Sequence, residues 1–256
     1  MNIGSGAAGV EAIVLDIEGT TTPIAFVYDV LFPFARAHLR EFLQNPINAS
    51  RLREPLQLLR EEWLVDRDPG PPDASAPGAT ASLAEAREDG HYLPEKYVES
   101  LMDRDRKSPG LKLLQGRIWE DGYRAGVLKG EVFADVPPAL QRWRDAGLDV
   151  AIYSSGSELA QQLIFGSTAD GDLTRFISRF FDTSVGAKGA PASYRRIAGA
   201  LGRAPERLLF ISDVTSELDA AATAGCAVIL CVRPGNRPQP DHAYKEISSF
   251  EEIDLQ

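Results

Sequence analysis

Two carboxylate side chains follow a short apolar run near the start of the chain. The segment AIVLDIEGTTT places Asp16 directly after four apolar residues, and Glu18 stands one residue further on, before Gly19. Carboxylate oxygens are ligands that a hard cation such as Mg²⁺ prefers, and an ionised carboxylate can also act as a nucleophile. Taken alone, Asp16 could also cap a turn, where aspartate is common. The segment therefore indicates metal-assisted chemistry at a strand end, with turn capping as the alternative.

Further polar residues end later apolar runs or lie in a turn. Ser154 and Ser155 end LDVAIYSS, Asp213 ends RLLFISD, and Lys188 lies in the glycine-flanked turn VGAKGAPAS. The two serines could be only a helix N-cap, although a helix N-terminus is also a natural anion site. Asp213 and Glu217 could be an N-cap and a first-turn acid, and a lone lysine is more often a surface residue. The order of all these residues along one chain is what favours a phosphate site.

The elements that must position these residues are short, buried strands. Four apolar runs are predicted to be parallel strands, at residues 12–16, 148–155, 207–213 and 227–232, and a short strand is predicted near Phe180 and Phe181. Helical patterns separate the later runs, and this alternation predicts an α/β fold, an open parallel sheet with helices on both faces. The carboxyl ends of such strands are where the active site lies, so the polar residues should converge there.

Residues 22–129 do not follow the alternation of strands and helices. Their patterns are helical, apart from a Pro-, Gly-, Ala- and Ser-rich stretch at residues 69–80 that is predicted to be a loop. We therefore expect an α/β catalytic core made of residues 1–21 and 130–256, and a helical cap domain of residues 22–129 inserted after the first strand. The cap is expected to close over the site and exclude water.

Composition limits the classes of partner. The 256 residues are 44% hydrophobic, which suits one large domain or one domain with a smaller insertion. The formal net charge of -10 argues against binding to nucleic acid or to an anionic membrane. Cys226 and Cys231 lie in the apolar run CAVILC and are expected to be core residues rather than a metal or redox pair. Neither a transmembrane run nor a signal-type segment is evident, so a cytoplasmic location is expected.

In their order, these motifs resemble the haloacid dehalogenase-like superfamily of phosphohydrolases, whose core is a Rossmannoid sheet. The four motifs correspond to DIEGT, SSG, Lys188 and SDVTSELD. Glu18 stands where ordinary phosphatases of the superfamily have an aspartate. The chain is similar to the acireductone synthases, the enolase-phosphatases of methionine salvage, in the segments DIEGTTTPIAFVYDVLFPFA, LKLLQGRIWEDGYRAG and FISDVTSELDAA. The resemblance extends from Glu11 to about Arg233.

The resemblance implies a reaction and a role for each matching residue. The implied substrate is the small-molecule phosphate 5-methylthio-2,3-dioxopentyl phosphate, which is enolised and then dephosphorylated to 1,2-dihydroxy-5-(methylthio)pent-1-en-3-one. One Mg²⁺ per subunit and a monomeric state are implied as well. The implied metal ligands are Asp16, the backbone carbonyl of Glu18, and Asp213. Asp16 is also the implied nucleophile, and the Glu18 side chain the acid and base.

The phosphate itself would be held by a second group of residues. The resemblance implies that Ser154 and the backbone of Ser155 bind the phosphoryl oxygens and that Lys188 neutralises phosphate charge and steadies Asp16. Two alternatives stay open: a generic Mg²⁺-dependent small-molecule phosphatase of the same superfamily, and a noncatalytic phosphate-binding protein. The complete set of motif residues disfavours the noncatalytic protein.

Overall fold

The computed structural model describes residues 9–66 and 94–254. The loop predicted at residues 69–80 lies outside these ranges. The chain divides into two compact units, one made of Met1–Leu31 and Gly122–Gln256 and the other of Phe32–Asp121. The domain boundaries expected from the sequence, at residues 22 and 130, stay a prediction.

Six parallel strands form one sheet in the first unit. They are β1 (Ala12–Leu15), β2 (Asp149–Tyr153), β3 (Arg179–Phe181), β4 (Leu208–Ser212), β5 (Ala227–Cys231) and β6 (Glu246–Ile247). Their order across the sheet is β3-β2-β1-β4-β5-β6, and every neighbouring pair is parallel. The predicted open parallel sheet is confirmed, including the short strand at Phe180 and Phe181.

Eight α-helices occur among the described residues. They are α1 (Phe32–Gln44), α2 (Ala49–Val65), α3 (Pro94–Asp103), α4 (Pro109–Arg124), α5 (Val136–Asp145), α6 (Glu158–Gly166), α7 (Pro191–Ala200) and α8 (Thr215–Ala224). A π-helical turn, Phe26–Leu31, precedes α1. None of the described helices is both long and apolar enough to cross a bilayer.

The central strands β1, β2 and β4 are buried on both faces because they are apolar at consecutive positions. Every residue of β1 is at most 1% exposed. Val14 belongs to a core cluster that also contains Tyr194 and Ile197 of α7 and Leu218 of α8. Both cysteines are free and buried, as the sequence predicts for core residues. This rigid sheet fixes the positions at which the polar residues leave its carboxyl edge.

The second unit is helical in its described part, α1 to α3 and most of α4. Arg51 of α2 ties its elements together: its guanidinium lies 2.9 Å from Glu120 and 2.8 Å from Asp121, and it stacks over the ring of Phe42. These contacts join α1, α2 and α4 by means of one partly buried cation.

Candidate active site

The sheet order itself locates the site. The chain passes from β1 to β2 and β3 on one side of the sheet, then returns to β4 beside β1 and continues to β5 and β6 on the other side. Ligands bind at such a switch point, outside the carboxyl ends of the strands. Asp16 follows β1 and Asp213 follows β4, so the two aspartates leave the sheet side by side.

The segment Asp16–Thr22, here called the catalytic loop, is a tight turn. The carbonyl oxygen of Ile17 accepts hydrogen bonds from the backbone N–H groups of Thr20, Thr21 and Thr22, at 3.1, 3.0 and 2.9 Å. Gly19 has φ +73°, and a Cβ there would lie 2.5 Å from Asp213 Oδ2. Only glycine accepts both that backbone conformation and that close approach. The Gly in DIEGT is therefore required by the turn.

Asp16 belongs to a buried ion network that also contains Lys188, Glu217 and Ser212. Lys188 Nζ lies 2.6 Å from Asp16 Oδ1 and 2.7 Å from Glu217 Oε2. The Ser212 hydroxyl lies 3.2 Å from Asp16 Oδ2 and 2.9 Å from Glu217 Oε2. The Asp16 side chain is 3% exposed, and that of Lys188 11%. Both oxygens of Asp16 are thus held in fixed directions, one by Lys188 and the other by Ser212.

Lys188 is positioned by two tyrosines of the core. Its carbonyl oxygen accepts a hydrogen bond from the Tyr194 hydroxyl at 2.7 Å, and the Tyr153 hydroxyl donates to Gly186 O at 2.8 Å. The two rings pack edge to face, with centroids 5.6 Å apart. The turn that carries Lys188 is therefore tied to β2 and to α7.

The ionisable side chains of this network shift one another's pKa values. Burial lowers the pKa of Lys188, but the negative charges of Asp16, Glu217 and Glu18 outweigh burial, so the pKa is raised overall. Burial, and then the charge of Asp16, raise the pKa of Asp213 to about 7 and that of Glu217 to about 7. The site therefore concentrates more negative charge than one lysine neutralises.

Glu18 and Ser154 come together from two strand ends. The Ser154 hydroxyl lies 3.4 Å from Glu18 Oε2 and accepts a hydrogen bond from Gly156 N at 3.1 Å. Burial, and then the charge of Asp16, raise the pKa of Glu18. Ser155 follows Ser154 and is half-buried, and the N-cap of α6 is Ser157 rather than either of these residues. The helix-cap alternative for Ser154 and Ser155 is thus wrong.

The donor set fits a hard cation. No cluster of three or more His, Cys, Asp or Glu side chains suited to a metal is found among the described residues. The carboxylates of Asp16 and Asp213, with a backbone carbonyl such as that of Glu18, make an all-oxygen set that leaves room for water ligands. Mg²⁺ prefers such a set. The raised pKa of Asp213 also indicates a place where a cation would relieve repulsion between carboxylates.

Several residues of the site escape sequence reasoning. The role of Glu217 as a partner of Lys188 was not predicted, nor was the hydroxyl of Ser212. Gln161 of α6 is fully buried and donates to Gly156 O and Phe181 O, both at 2.9 Å. Ser212 and Glu217 each had a local signal, since Ser212 immediately precedes Asp213 at a strand end and Glu217 is an acid in the same motif. Gln161 has none, because a glutamine in a helix gives no sign of which carbonyl it will reach.

Comparison with known proteins gives the class of this fold and site. The model of the family described as haloacid dehalogenase-like hydrolase matches residues 10–225. The chain therefore belongs to the haloacid dehalogenase-like hydrolases, as its motifs suggest.

Similarity to individual proteins narrows the comparison within this family. Enolase-phosphatase E1 of Synechococcus elongatus is 46% identical over 244 residues, which cover 95% of this chain and 98% of the relative. The probable bifunctional methylthioribulose-1-phosphate dehydratase/enolase-phosphatase E1 of Vitis vinifera is 44% identical over 250 residues, covering 94% of this chain and 46% of the plant protein. The chain thus spans about half of the plant enzyme.

Solved structures agree with the fold. The crystal structure of the Unknown transcript 4 protein of Saccharomyces cerevisiae has a TM-score of 0.69 and 32% identity, covering 95% of this chain and all of that one. The CbbY protein of Rhodobacter sphaeroides, solved with xylulose-(1,5)bisphosphate, has a TM-score of 0.58 at 17% identity over 95% of this chain and 96% of that one. The second similarity concerns the fold alone.

Proposed function

We propose that this protein is an enolase-phosphatase of methionine salvage. It converts 5-methylthio-2,3-dioxopentyl phosphate to 1,2-dihydroxy-5-(methylthio)pent-1-en-3-one and phosphate. The observation that carries the proposal is the 46% identity to an enolase-phosphatase E1 across 98% of that relative. The site is consistent with it, because the acid and base candidate beside Asp16 is a glutamate.

The first step is enolisation. The product has its double bond between C1 and C2, so the proton lost is the one on C1, which the neighbouring C2 ketone makes acidic. We assign Glu18 as the base. The electrons of the C1–H bond form the C1–C2 double bond, and the C2 oxygen takes a proton from water. The hydroxyl of Ser154, 3.4 Å from Glu18 Oε2, orients the carboxylate for this transfer.

The second step is phosphoryl transfer. Asp16 attacks phosphorus and forms an aspartyl phosphate, while the bond from phosphorus to the C1 oxygen breaks and protonated Glu18 gives its proton to that oxygen. Water then hydrolyses the aspartyl phosphate, which regenerates Asp16 and releases phosphate and a proton. That proton balances the one taken from water in the first step. Lys188, 2.6 Å from Asp16, neutralises charge on the transferring group, and Ser154 with the backbone of Ser155 holds its oxygens.

We propose Mg²⁺ as the cofactor, one per subunit. Asp16, Asp213 and the backbone carbonyl of Glu18 would hold it. When bound, it supplies the positive charge that neutralises phosphoryl and enolate oxygens.

The remaining proposals concern organisation. We propose a core of residues 1–21 and 130–256 with a helical cap of residues 22–129, and a monomer located in the cytoplasm. The net charge of -10 supports a protein that binds neither nucleic acid nor anionic membrane.

The test is a dual assay on the diketone phosphate with Mg²⁺, which follows enol absorbance and phosphate release in one sample. A metal-free sample is the control. We expect absorbance to rise before or together with phosphate, and only with metal. Phosphate release without enol product would instead support the generic phosphatase, and neither signal from folded protein would support the noncatalytic alternative.

A further inference from the structure

Two consecutive carbonyl groups of the catalytic loop accept hydrogen bonds from side chains of the segment that follows β5. Asn236 Nδ2 donates to Gly19 O at 2.9 Å, and Arg233 Nε donates to Thr20 O at 3.3 Å. Neither side chain has a part in the reaction proposed above. Both nevertheless contact the turn that carries Glu18.

Asn236 joins the catalytic loop to the end of β5. Its Nδ2 also donates to Cys231 O, the last residue of β5, at 3.1 Å. Its Oδ1 lies 2.8 Å from where a Cβ of Gly19 would stand, and Asp213 Oδ2 lies 2.5 Å from the same point. The amide of Asn236 therefore packs over Gly19 beside the metal-ligand candidate Asp213.

Arg233 anchors this segment to neighbouring parts of the core. Its side chain is 4% exposed, and its Nη2 lies 2.8 Å from Asp135 Oδ2. Nη1 donates to Ser248 O at 2.6 Å. The guanidinium stacks at 4.6 Å from the Phe133 ring centroid and 4.8 Å from that of Phe250. A buried arginine with this many partners does not change rotamer readily. The loop contact of Arg233 is thus fixed in place.

A glycine at the centre of the catalytic loop needs such support. Gly19 has φ +73°, and glycine has wide conformational freedom, so the peptide between Gly19 and Thr20 could rotate. Holding the Gly19 carbonyl on Asn236 limits that rotation. The preceding peptide is held by Gly19 N, which donates to Thr22 O at 2.8 Å. With both peptides of Gly19 restrained, the direction of the Glu18 carbonyl and the starting point of the Glu18 side chain are fixed.

We propose that Asn236, supported by Arg233, is a positioning residue that sets the direction of the Glu18 carbonyl and carboxylate. This inference rests on the proposed roles of Glu18, and it assigns to the segment after β5 a share in the active site. Asn236 acts through the catalytic loop, so it affects catalysis and cation binding more than substrate binding.

The test compares the unaltered protein with Asn236→Leu, which has the same number and branching of side-chain heavy atoms but removes the donor. We expect kcat for the diketone phosphate to fall about 10- to 100-fold with KM changed less than about threefold, since small misplacements cost this much. Isothermal titration with Mg²⁺ alone should show about tenfold weaker binding. Val232→Ala, at an exposed apolar position of the same segment, is the control and should leave both values within about twofold.

If Asn236 served only to stabilise the fold, a folded variant would keep its kcat and its affinity for Mg²⁺. Thermal unfolding and circular dichroism report whether each variant is folded, and Asn236→Ala replaces the leucine variant if that one does not fold. If folded Asn236→Leu or Asn236→Ala keeps the kcat and Mg²⁺ affinity of the unaltered protein, the inference is wrong. Failure of the unaltered protein to use the diketone would overturn the proposed function instead, and the Mg²⁺ titration would still decide the role of Asn236.

Discussion

Lys188 Nζ and Asp16 Oδ1 are 2.6 Å apart in a site where both side chains are almost fully buried. The attraction between their charges is far stronger there than in water, because little solvent screens it. Glu217, 2.7 Å from the same ammonium group, completes the pair into a triad. Asp16 is thus oriented before any substrate binds.

Replacing the cation of this triad should remove most of the phosphatase activity. In Lys188→Met the transferring phosphoryl group loses a positive charge, and Asp16 loses a partner that fixes its direction. We expect kcat for phosphate release to fall about 10²- to 10³-fold. Lys245→Met, the same change at an exposed lysine, is the control. A Lys188→Met protein that is folded and keeps kcat within about threefold would contradict the assignment.

Shortening Glu18 should separate the two half-reactions. Glu18→Asp keeps the carboxylate but withdraws it by one methylene, so it can no longer reach a carbon-bound proton. We expect enol formation to fall about a hundredfold, and hydrolysis of the simple ester p-nitrophenyl phosphate to fall about tenfold or less. Glu131→Asp, at an exposed glutamate, is the control. Equal losses in both assays would show that reach is not the reason for glutamate here.

Two glycines with similar backbone conformations provide a matched test of the catalytic loop. Gly19 has φ +73° and a Cβ there would meet Asp213 Oδ2 at 2.5 Å, whereas Gly126 has φ +69° and open space around it. Gly126→Ala should lose about 1–2 kcal/mol of unfolding free energy, the cost of the left-handed backbone, with kcat unchanged.

Gly19→Ala adds the clash with Asp213 to the same backbone cost. We expect at least a hundredfold loss of kcat, together with weaker Mg²⁺ binding by calorimetry, because Asp213 must move. Similar kcat values for the two folded variants would mean that the close approach at Gly19 is not needed for activity.

The sheet was predictable because its strands are continuous apolar runs that end at polar residues. The first predicted strand, 12–16, differs from β1 (Ala12–Leu15) only in Asp16, which is already part of the catalytic loop. β6 was missed because Glu246–Ile247 has two residues and no apolar run. Its place in the sheet depends on backbone pairing with β5, which no local pattern reveals.

The site was predictable where a residue type and a strand end coincide. Asp16, Ser154 and Asp213 have both signals, and the structure brings each to the same edge of the sheet. Glu217 is a carboxylate but lies within α8 rather than at a strand end, and Asn236 has neither signal. Their partners, Lys188 and Gly19, are distant in sequence. Such contacts are decided by the packing of whole elements, and they are the part of a site that local sequence reasoning cannot supply.

The contribution of the buried pair Asp135–Arg233 to stability should depend on pH. Burial raises the pKa of Asp135, but the hydrogen bonds from Arg233 and from Phe250 N and the charge of Arg233 outweigh it, so the pKa is lowered from its ordinary value of 3.8. A carboxyl with a lowered folded-state pKa stabilises the protein fully above its unfolded pKa. That stabilisation is lost as the pH falls through the folded-state pKa.

Asp135→Asn tests this dependence, because it keeps the shape of the side chain and removes its charge. At pH 7 we expect about 3 kcal/mol less unfolding free energy, since Arg233 stays buried without its counterion. Urea titrations from pH 7 to pH 3 should show that difference unchanged down to about pH 5 and narrowing below about pH 4. Asp145→Asn, at an exposed aspartate, should differ from the unaltered protein by about 0.5 kcal/mol or less throughout. A difference for Asp135→Asn that persists undiminished at pH 3 would mean that packing or hydrogen-bond geometry, rather than charge, makes Asp135 stabilising.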